Sequence, residues 1–264
     1  MTERENLLLA LNHETPKWTP YYSHDVAIVS SSLMNEDGPI GGGLDYWGVK
    51  WIHDDMGPMV DVNDPPLIDD VTRWRELIRV PDIDAMDWKK QCEEDLAAQK
   101  PDRDNKLVIL FTKKGFCERL MALLGYEGFL ISLYEEPEAV CDLLDTLADF
   151  RCKMLDRLIY YFKPDIVICG GDFSSGTNLL MAPDVWRKII KPYIKREIDV
   201  VRSHGLFVDF HSCGKCESVV EEFYEMGAHL WSSAQVMNDI NSLLTKLENR
   251  MCMREDGTVR APRE

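Results

Sequence analysis

The 264-residue chain has no long hydrophobic run. No window approaches the roughly 18 to 20 consecutive apolar residues of a membrane-spanning helix, and the first residues lack the basic and apolar regions of a secretory signal. We therefore expect a cytoplasmic protein with no membrane contact. An excess of positive charge is also missing, because the formal net charge is −16. Nucleic-acid affinity depends on cationic side chains, so we expect no nucleic-acid partner.

Cysteine is present without the density of a secreted disulfide scaffold. The eight cysteines are spread over the whole chain, and we expect them to be thiols. Cys213 and Cys216 form a Cys-x-x-Cys pair, but no second such pair exists, which excludes a structural four-cysteine zinc site. A nucleotide-binding glycine fingerprint is also absent after the first strand of the regular pattern, which disfavours a doubly wound sheet.

What the sequence does contain, after residue 100, is a repeated strand-then-helix pattern. The predicted strands are 107–111, 165–169, 206–210 and 228–231, and the predicted helices are 118–134, 138–162, 183–204 and 217–226. Repetition of this unit predicts an α/β fold with a parallel sheet, and the chain length favours a (β/α)8 barrel. We expect one domain over 1–264, with an N-terminal helix and loops over 1–100, regular units over 101–253 and an atypical tail over 254–264.

The sharpest chemical pattern is His211 and Cys213, which follow the predicted strand 206–210. Residues i and i+2 of an extended segment lie on the same side, so the imidazole and the sulfur can bind one zinc ion. The alternative is a hydrogen-bonded histidine beside a buried cysteine, because two ligands do not make a site. Cys216 is either one half of a redox pair or, as we expect, a bystander in the following helix.

Asp172 is the candidate catalytic residue. It follows an apolar strand, so its carboxylate should lie at the barrel mouth and orient a ligand, bind substrate or accept a proton. The alternative is a residue that caps a loop or a helix. Gln235 is a weaker candidate of the same kind. Tyr46 and Trp47 form either one wall of a pocket for a flat ligand or a packing contact that holds the N-terminal segment to the domain.

In their order along the chain, several short motifs resemble the uroporphyrinogen decarboxylase superfamily, which includes zinc-dependent methylcobamide methyltransferases. They are Arg4, Ala10-Leu11-Asn12-His13, Asp45-Tyr46-Trp47-Gly48, residues 125–129, Glu136-Pro137, Gly170-Gly171-Asp172, Ala182-Pro183-Asp184, Lys191-Pro192, His211-Ser212-Cys213-Gly214, Gly227 and Gln235. The resemblance implies a barrel of the uroporphyrinogen decarboxylase type with its active site at the carboxyl ends of the strands.

The resemblance favours the methyltransferase branch. Decarboxylases of the family bind a substrate with eight carboxylates and have an arginine-bearing segment early in the chain, whereas the cations between residues 15 and 72 here are Lys17 and Lys50. The methyltransferases hold zinc through a His-x-Cys motif, to which His211 and Cys213 correspond, and through a later cysteine. They move a methyl group between a corrinoid (cobalamin) carried by a partner protein and a small-molecule acceptor. In this branch Tyr46, Trp47 and Gln235 are expected to contact the cofactor.

The C-terminal part departs from the family pattern. Cys252 lies earlier than the family's third zinc ligand, and the polar tail 254–264 does not resemble the family's glycine-rich segment. Because suitable codons read one base later would spell such a segment, we hypothesise a frameshift that removes the last strand, its helix and the third ligand. The truncated barrel would expose a strand edge, so we expect a homodimer or aggregation.

Two other functions stay open at this point. One is a cofactor-free uroporphyrinogen decarboxylase of porphyrin biosynthesis. The other is a non-catalytic, truncated binding module that keeps a surface for the corrinoid protein.

Overall fold

The computed structural model describes residues 1–34, 36–55, 57–112, 114–247, 250–255 and 258–260. The strands are β1 (Val26–Val29), β2 (Gly43–Leu44), β3 (Lys50–Asp54), β4 (Gly57–Val60), β5 (Leu107–Leu110), β6 (Ile166–Gly170), β7 (Phe207–His211), β8 (Leu230–Ser232), β9 (Cys252–Glu255) and β10 (Thr258–Arg260). The helices are α1 (Glu3–Leu11), α2 (Tyr22–Asp25), α3 (Trp74–Leu77), α4 (Trp88–Gln99), α5 (Phe116–Leu124), α6 (Tyr126–Glu135), α7 (Pro137–Phe162), α8 (Pro183–Val185), α9 (Lys191–Ser203), α10 (Val220–Met226) and α11 (Ile240–Lys246).

The main sheet has the order β1-β5-β6-β7-β8-β9-β10, in which the first six strands are parallel and β10 is antiparallel. It curls into half a barrel with helices on its outer face, which confirms the expected α/β class with a parallel sheet. Among the described residues the sheet has six parallel strands, so a full eight-stranded barrel is not shown. No described helix is both long enough and apolar enough to cross a membrane.

Three elements differ from the sequence-based expectation. The first strand of the sheet, β1, lies in the N-terminal segment and pairs with β5, although turn-forming residues surround it in sequence. The predicted helix 118–134 is two helices, which meet at Gly125 with φ of 73°. In the predicted tail, β10 pairs with β9, whereas residues 256, 257 and 261–264 lie outside the described residues.

Helix α1 fills the amino end of the half-barrel. Its first turn carries a capping box, in which the Thr2 hydroxyl accepts the Glu5 amide and the Glu5 carboxylate accepts the Thr2 amide. Arg4 donates two hydrogen bonds of 2.6 and 2.7 Å to Asp165, the residue just before β6. Leu7, Ala10 and Leu11 of α1 pack against inward-facing side chains of β5 and β6. With the amino end filled, polar residues gather at the carboxyl ends.

A buried network of five charged residues joins the segments on either side of β2 to three helices. Arg119 of α5 pairs with Glu36 and with Asp45, and Arg151 of α7 pairs with Glu36 and with Glu197 of α9. Each of these side chains is at most 4% exposed. Burial raises the pKa of the Glu197 carboxyl, and its ion pair with Arg151 opposes this shift. The network fixes how the outer helices pack because an unpaired charge at this depth is costly.

We predict that Arg151→Met lowers the free energy of unfolding by about 3–5 kcal/mol, because it leaves Glu36 and Glu197 buried with fewer partners. The control is Arg157→Met, since Arg157 is on the same helix and its pair with Asp84 is solvent-exposed. That change should cost no more than about 0.5 kcal/mol. Urea denaturation followed by circular dichroism measures both, and equal losses would contradict a structural role of the network.

Candidate metal centre

The carboxyl ends of β6 and β7 lie side by side, with Gly170 paired to His211. This pairing brings together Asp172, His211 and Cys213, whose possible ligand atoms all lie within 4.8 Å of one another. The Nε2 atom of His211 is 3.7 Å from the Cys213 sulfur and 3.7 Å from Asp172 Oδ1. The Cys213 backbone N–H donates to the same Asp172 oxygen at 2.7 Å. Asp172 therefore both holds the loop after β7 and stands beside the two predicted ligands.

Glycines allow the end of β6 and the start of α5 to lie very close together. Gly171 has φ of 144°, and a Cβ atom there would lie 2.3 Å from a Glu118 carboxylate oxygen. A Cβ atom on Gly115, just before α5, would lie 2.0 Å from the Gly170 carbonyl oxygen. Any side chain at Gly115 or Gly171 would push α5 away from the end of β6. Glycine at positions 115 and 171 is thus a packing requirement of the site.

Ser232, the last residue of β8, fixes the orientation of His211. Its hydroxyl lies 3.3 Å from His211 Nδ1, on the opposite side of the ring from Cys213 and Asp172. A histidine whose Nδ1 is hydrogen-bonded in this way presents Nε2 to a metal ion. Ser232 is fully buried, so this contact is protected from water.

Ser233 lies beside Cys213 and has an unusual backbone. Burial raises the pKa of the Cys213 thiol to about 11, the charge of Asp172 adds to the shift, and a hydrogen bond from Ser233 opposes it. Successive residues of an extended strand point to opposite sides, yet Ser232 and Ser233 both reach the site. The φ of 61° at Ser233 explains this, because it turns the chain just after β8. Such a conformation costs a non-glycine residue about 1 kcal/mol or more.

Cys216 is not part of the cluster. Its sulfur is buried and lies 3.2 Å from the Ser174 hydroxyl and 3.4 Å from the Ser212 hydroxyl. We expected it in the following helix, but α10 begins at Val220, so Cys216 lies in the loop before it. Its contacts hold this loop against the segment after β6.

Gln235 and Asn238 hold the same loop from the other side. Gln235 Oε1 accepts the Gly214 amide at 2.6 Å, which places this predicted residue at the edge of the site. Asn238 is buried; it accepts the Cys216 amide at 2.8 Å and donates to the Gly214 carbonyl at 2.9 Å. Sequence reasoning missed Ser232, Ser233 and Asn238. The only signal in the sequence was the polar character of these residues at the end of a predicted strand and just after it.

Tyr46 and Trp47 are not brought to the centre. Both rings pack against Phe150 of α7, with ring centroids 5.6 and 5.1 Å apart respectively. Trp47 is buried, and the Arg119 guanidinium lies over the Tyr46 ring at 5.5 Å. These contacts hold the N-terminal segment on the helical layer, and the predicted contact of the two rings with a cofactor stays a prediction.

Cys252 is also remote from the cluster. It pairs with Leu230, whereas His211 pairs with Ser232, so Cys252 lies two residues nearer the amino end of the sheet. Its thiol donates to the Ala10 carbonyl of α1 at 3.2 Å and is buried. Among the described residues, Asp172 is the third potential ligand, in place of a C-terminal cysteine.

A cavity of about 910 Å3 lies between the β3–β4 hairpin and α5. Glu118 connects this cavity to the cluster: it lines the cavity, and its carboxyl accepts the Gly115 amide at 2.5 Å and also the Asp172 amide. Burial raises the pKa of Glu118 to about 7. Glu118 therefore lies between the candidate centre and the cavity.

Comparison with known proteins places this arrangement in a family. Residues 117–253, more than half of the chain, match the family model of uroporphyrinogen decarboxylase (URO-D). The chain belongs to the URO-D family. The matched residues include Asp172, His211 and Cys213.

A solved structure has a similar fold. A methyltransferase from Methanosarcina mazei superposes on this URO-D family chain with a TM-score of 0.66 and 13% sequence identity, over 96% of this chain and 82% of that chain. At this identity the similarity establishes the fold. A search of curated proteins finds no match to the sequence.

We predict that substitutions of Ser233 separate stability from metal binding. Ser233→Gly should keep or raise the free energy of unfolding by up to about 1 kcal/mol, because glycine adopts positive φ without strain. It should also weaken zinc binding about tenfold, because the hydrogen bond to Cys213 is lost. Ser233→Thr keeps the hydroxyl but adds a β-branched side chain, so it should bind zinc normally and be less stable. Zinc competition titrations and thermal melts test this, and affinities that follow stability in both variants would refute it.

Proposed function

We propose that this URO-D family protein is a zinc-dependent methyltransferase, which moves a methyl group between a corrinoid protein and a thiol or related acceptor. The observation that carries the proposal is the convergence of Asp172, His211 and Cys213 within 4.8 Å at the carboxyl ends of β6 and β7. Catalytic groups of barrels with this architecture lie at that end.

The donor atoms fit zinc. Imidazole nitrogen, thiolate sulfur and carboxylate oxygen are the ligands that Zn2+ binds, whereas Mg2+ and Ca2+ prefer oxygen alone. Asp172 Oδ1 accepts the Cys213 amide, and because each carboxylate oxygen has two lone pairs, the carboxylate can still bind a metal. Three protein ligands with one open position are typical of catalytic zinc sites rather than structural ones.

Each residue has a defined part in this proposal. When bound, zinc supplies Lewis acidity that lowers the pKa of a thiol in the open coordination position. His211 presents Nε2 because Ser232 bonds the other ring nitrogen. Because its pKa is raised to about 11, the Cys213 thiol keeps its proton at neutral pH, and a metal ion that binds the sulfur would displace that proton. Asp172 holds the Cys213 backbone, and Glu118 in turn accepts the Asp172 amide.

The proposal that a corrinoid carrier is the partner rests on the ordered sequence motifs. Gln235 stands at the edge of the centre and is the predicted cofactor-contacting residue best placed for that role. Tyr46 and Trp47 would contribute to cofactor binding through the N-terminal segment, which their rings hold in place.

The decarboxylase alternative has less support in the charge distribution. A polycarboxylate needs several unpaired cations. Of the two lysines between residues 15 and 72, Lys50 is paired with Asp61 at 3.0 Å and with Asp64 at 3.2 Å. Turnover of a porphyrinogen in vitro would establish this activity instead, and metal binding without any methyl transfer would favour the non-catalytic module.

We predict that Cys213→Ser weakens zinc binding at least about 100-fold, because a neutral hydroxyl is a far poorer ligand than a thiolate. Cys216→Ser is the matched control, since Cys216 is three residues away and its sulfur bonds Ser174 and Ser212. It should keep zinc affinity within a few-fold of wild type. Zinc content after purification without chelators, together with competition titration, measures both.

The two cysteine variants also identify the outcomes that contradict the ligand assignment. Equal loss of zinc from both would indicate a Cys-x-x-Cys chelate. Wild-type affinity in both would mean that Cys213 is not a ligand.

Asp172→Asn distinguishes a metal ligand from a purely catalytic carboxylate. Its amide oxygen can still accept the Cys213 N–H, so the loop geometry is kept while the negative charge is removed. We predict a loss of zinc affinity of about 10-fold or more. Unchanged zinc binding with a reduced methyl-transfer rate would assign Asp172 a catalytic role without metal ligation.

A further inference from the structure

The cavity between the β3–β4 hairpin and α5 collects apolar side chains that the fold leaves exposed. Val62 is 86% exposed, Leu44 64%, Tyr126 57% and Met59 39%, and all four line the cavity. Single exposed apolar residues are ordinary on a protein surface, but several around one concave space mark a binding site. A volume of about 910 Å3 is within the range of small-molecule sites.

The charged residues of the cavity wall are already paired within the protein. Five of the described lining residues carry a charged group. Lys50 pairs with Asp61 and Asp64, both of which also line the cavity. Lys114 pairs with Asp37 at 3.1 Å. The fifth, Glu118, accepts the backbone amides of Gly115 and Asp172.

This pairing has a consequence for the ligand. A charged group that enters an apolar site loses hydration and needs an opposite charge in return. Among the described lining residues, each charge is already paired or hydrogen-bonded. An uncharged ligand loses little hydration and gains contact with the exposed apolar side chains.

Glu118 places the cavity next to the candidate centre. Its carboxyl accepts the amide of Asp172, and Met121 and Ala122 continue the cavity wall along the same face of α5. Residues three and four positions apart share one face of a helix, so the wall runs along α5 from its first turn. A ligand that contacts Glu118 would therefore be separated from Asp172 by this one residue.

We propose that this cavity binds an uncharged, apolar small molecule and that this class includes the substrate of the proposed methyl transfer. The assignment of the ligand as a substrate rests on the proposed function; the assignment of the cavity as a site for uncharged apolar molecules does not.

The test uses three naphthalene probes that differ only in their charged group: 2-naphthalenemethanol, 2-naphthoate and 2-naphthylmethylammonium. Isothermal titration calorimetry on the full chain should show that the alcohol binds at least about tenfold more tightly than either ion, which is about 1.4 kcal/mol. The comparison of the alcohol with the ammonium ion is the more demanding one, because the net charge of −16 attracts cations to the protein as a whole.

Two lysine substitutions locate the binding. Met59→Lys adds an unpaired cation to the cavity wall at a position 39% exposed, so it should weaken binding of the alcohol and strengthen binding of naphthoate about tenfold. Ile40→Lys adds the same charge at a side chain that is 98% exposed and does not line the cavity, so it should change neither. Circular dichroism spectra of both variants verify that they fold.

The proposal is overturned if either ion binds wild type as tightly as the alcohol, or if the two lysine variants behave alike. Zinc content of the same wild-type sample tests the proposed function separately. Zinc-free protein that cannot be loaded but still binds the alcohol would refute the zinc enzyme and keep the cavity site. Zinc-loaded protein that binds no probe would refute the cavity site and keep the zinc enzyme.

Discussion

The candidate centre depends on one hydrogen bond, which runs from the Cys213 amide to the carboxylate of Asp172. It ties the loop after β7 to the loop after β6, two neighbouring strands of a parallel sheet whose carboxyl ends meet at one edge. Ser174 also contacts the loop after β7 through Cys216, but the hydrogen bond between Cys213 and Asp172 joins two of the candidate ligands directly. The glycines before Asp172 allow this bond, because they let the β6 loop pass against the start of α5.

Residues at the end of β8 and in the segment after it contact the two predicted ligands and the loop that holds them. Ser232 contacts His211, Ser233 contacts Cys213, and Gln235 and Asn238 hold the backbone of the same loop. The strained backbone of Ser233 is what allows two adjacent serines to reach one site. Local strain of this kind occurs where the surrounding structure over-determines the conformation, as it does at functional sites.

The sequence predicted the features that depend on local periodicity. Strands β5 to β8 and helix α7 lie within two residues of their predicted positions, because each is a short apolar or amphipathic segment between turn residues. His211 and Cys213 were found because strand alternation places residues i and i+2 on one side.

Features that depend on tertiary pairing could not be found in this way. Strand β1 could not be predicted because turn-forming residues surround it in sequence, and it forms because it pairs with β5. Cys252 is turned toward α1 by the register of β9, and the two serines at the end of β8 and just after it have no pattern of their own. The buried ions Arg119 and Arg151 are ordinary helix residues in sequence, and only the packed fold brings their carboxylate partners to them.

Zinc K-edge X-ray absorption of the metal-loaded protein tests the central claim most directly, because it counts sulfur ligands without relying on activity. A centre formed by Asp172, His211 and Cys213 should show one sulfur at about 2.3 Å, with the remaining nitrogen and oxygen ligands at about 2.0–2.2 Å. Two or more sulfurs, in the absence of an added thiol, would mean that Cys216 or another cysteine binds the metal. That result would contradict the centre formed by Asp172, His211 and Cys213.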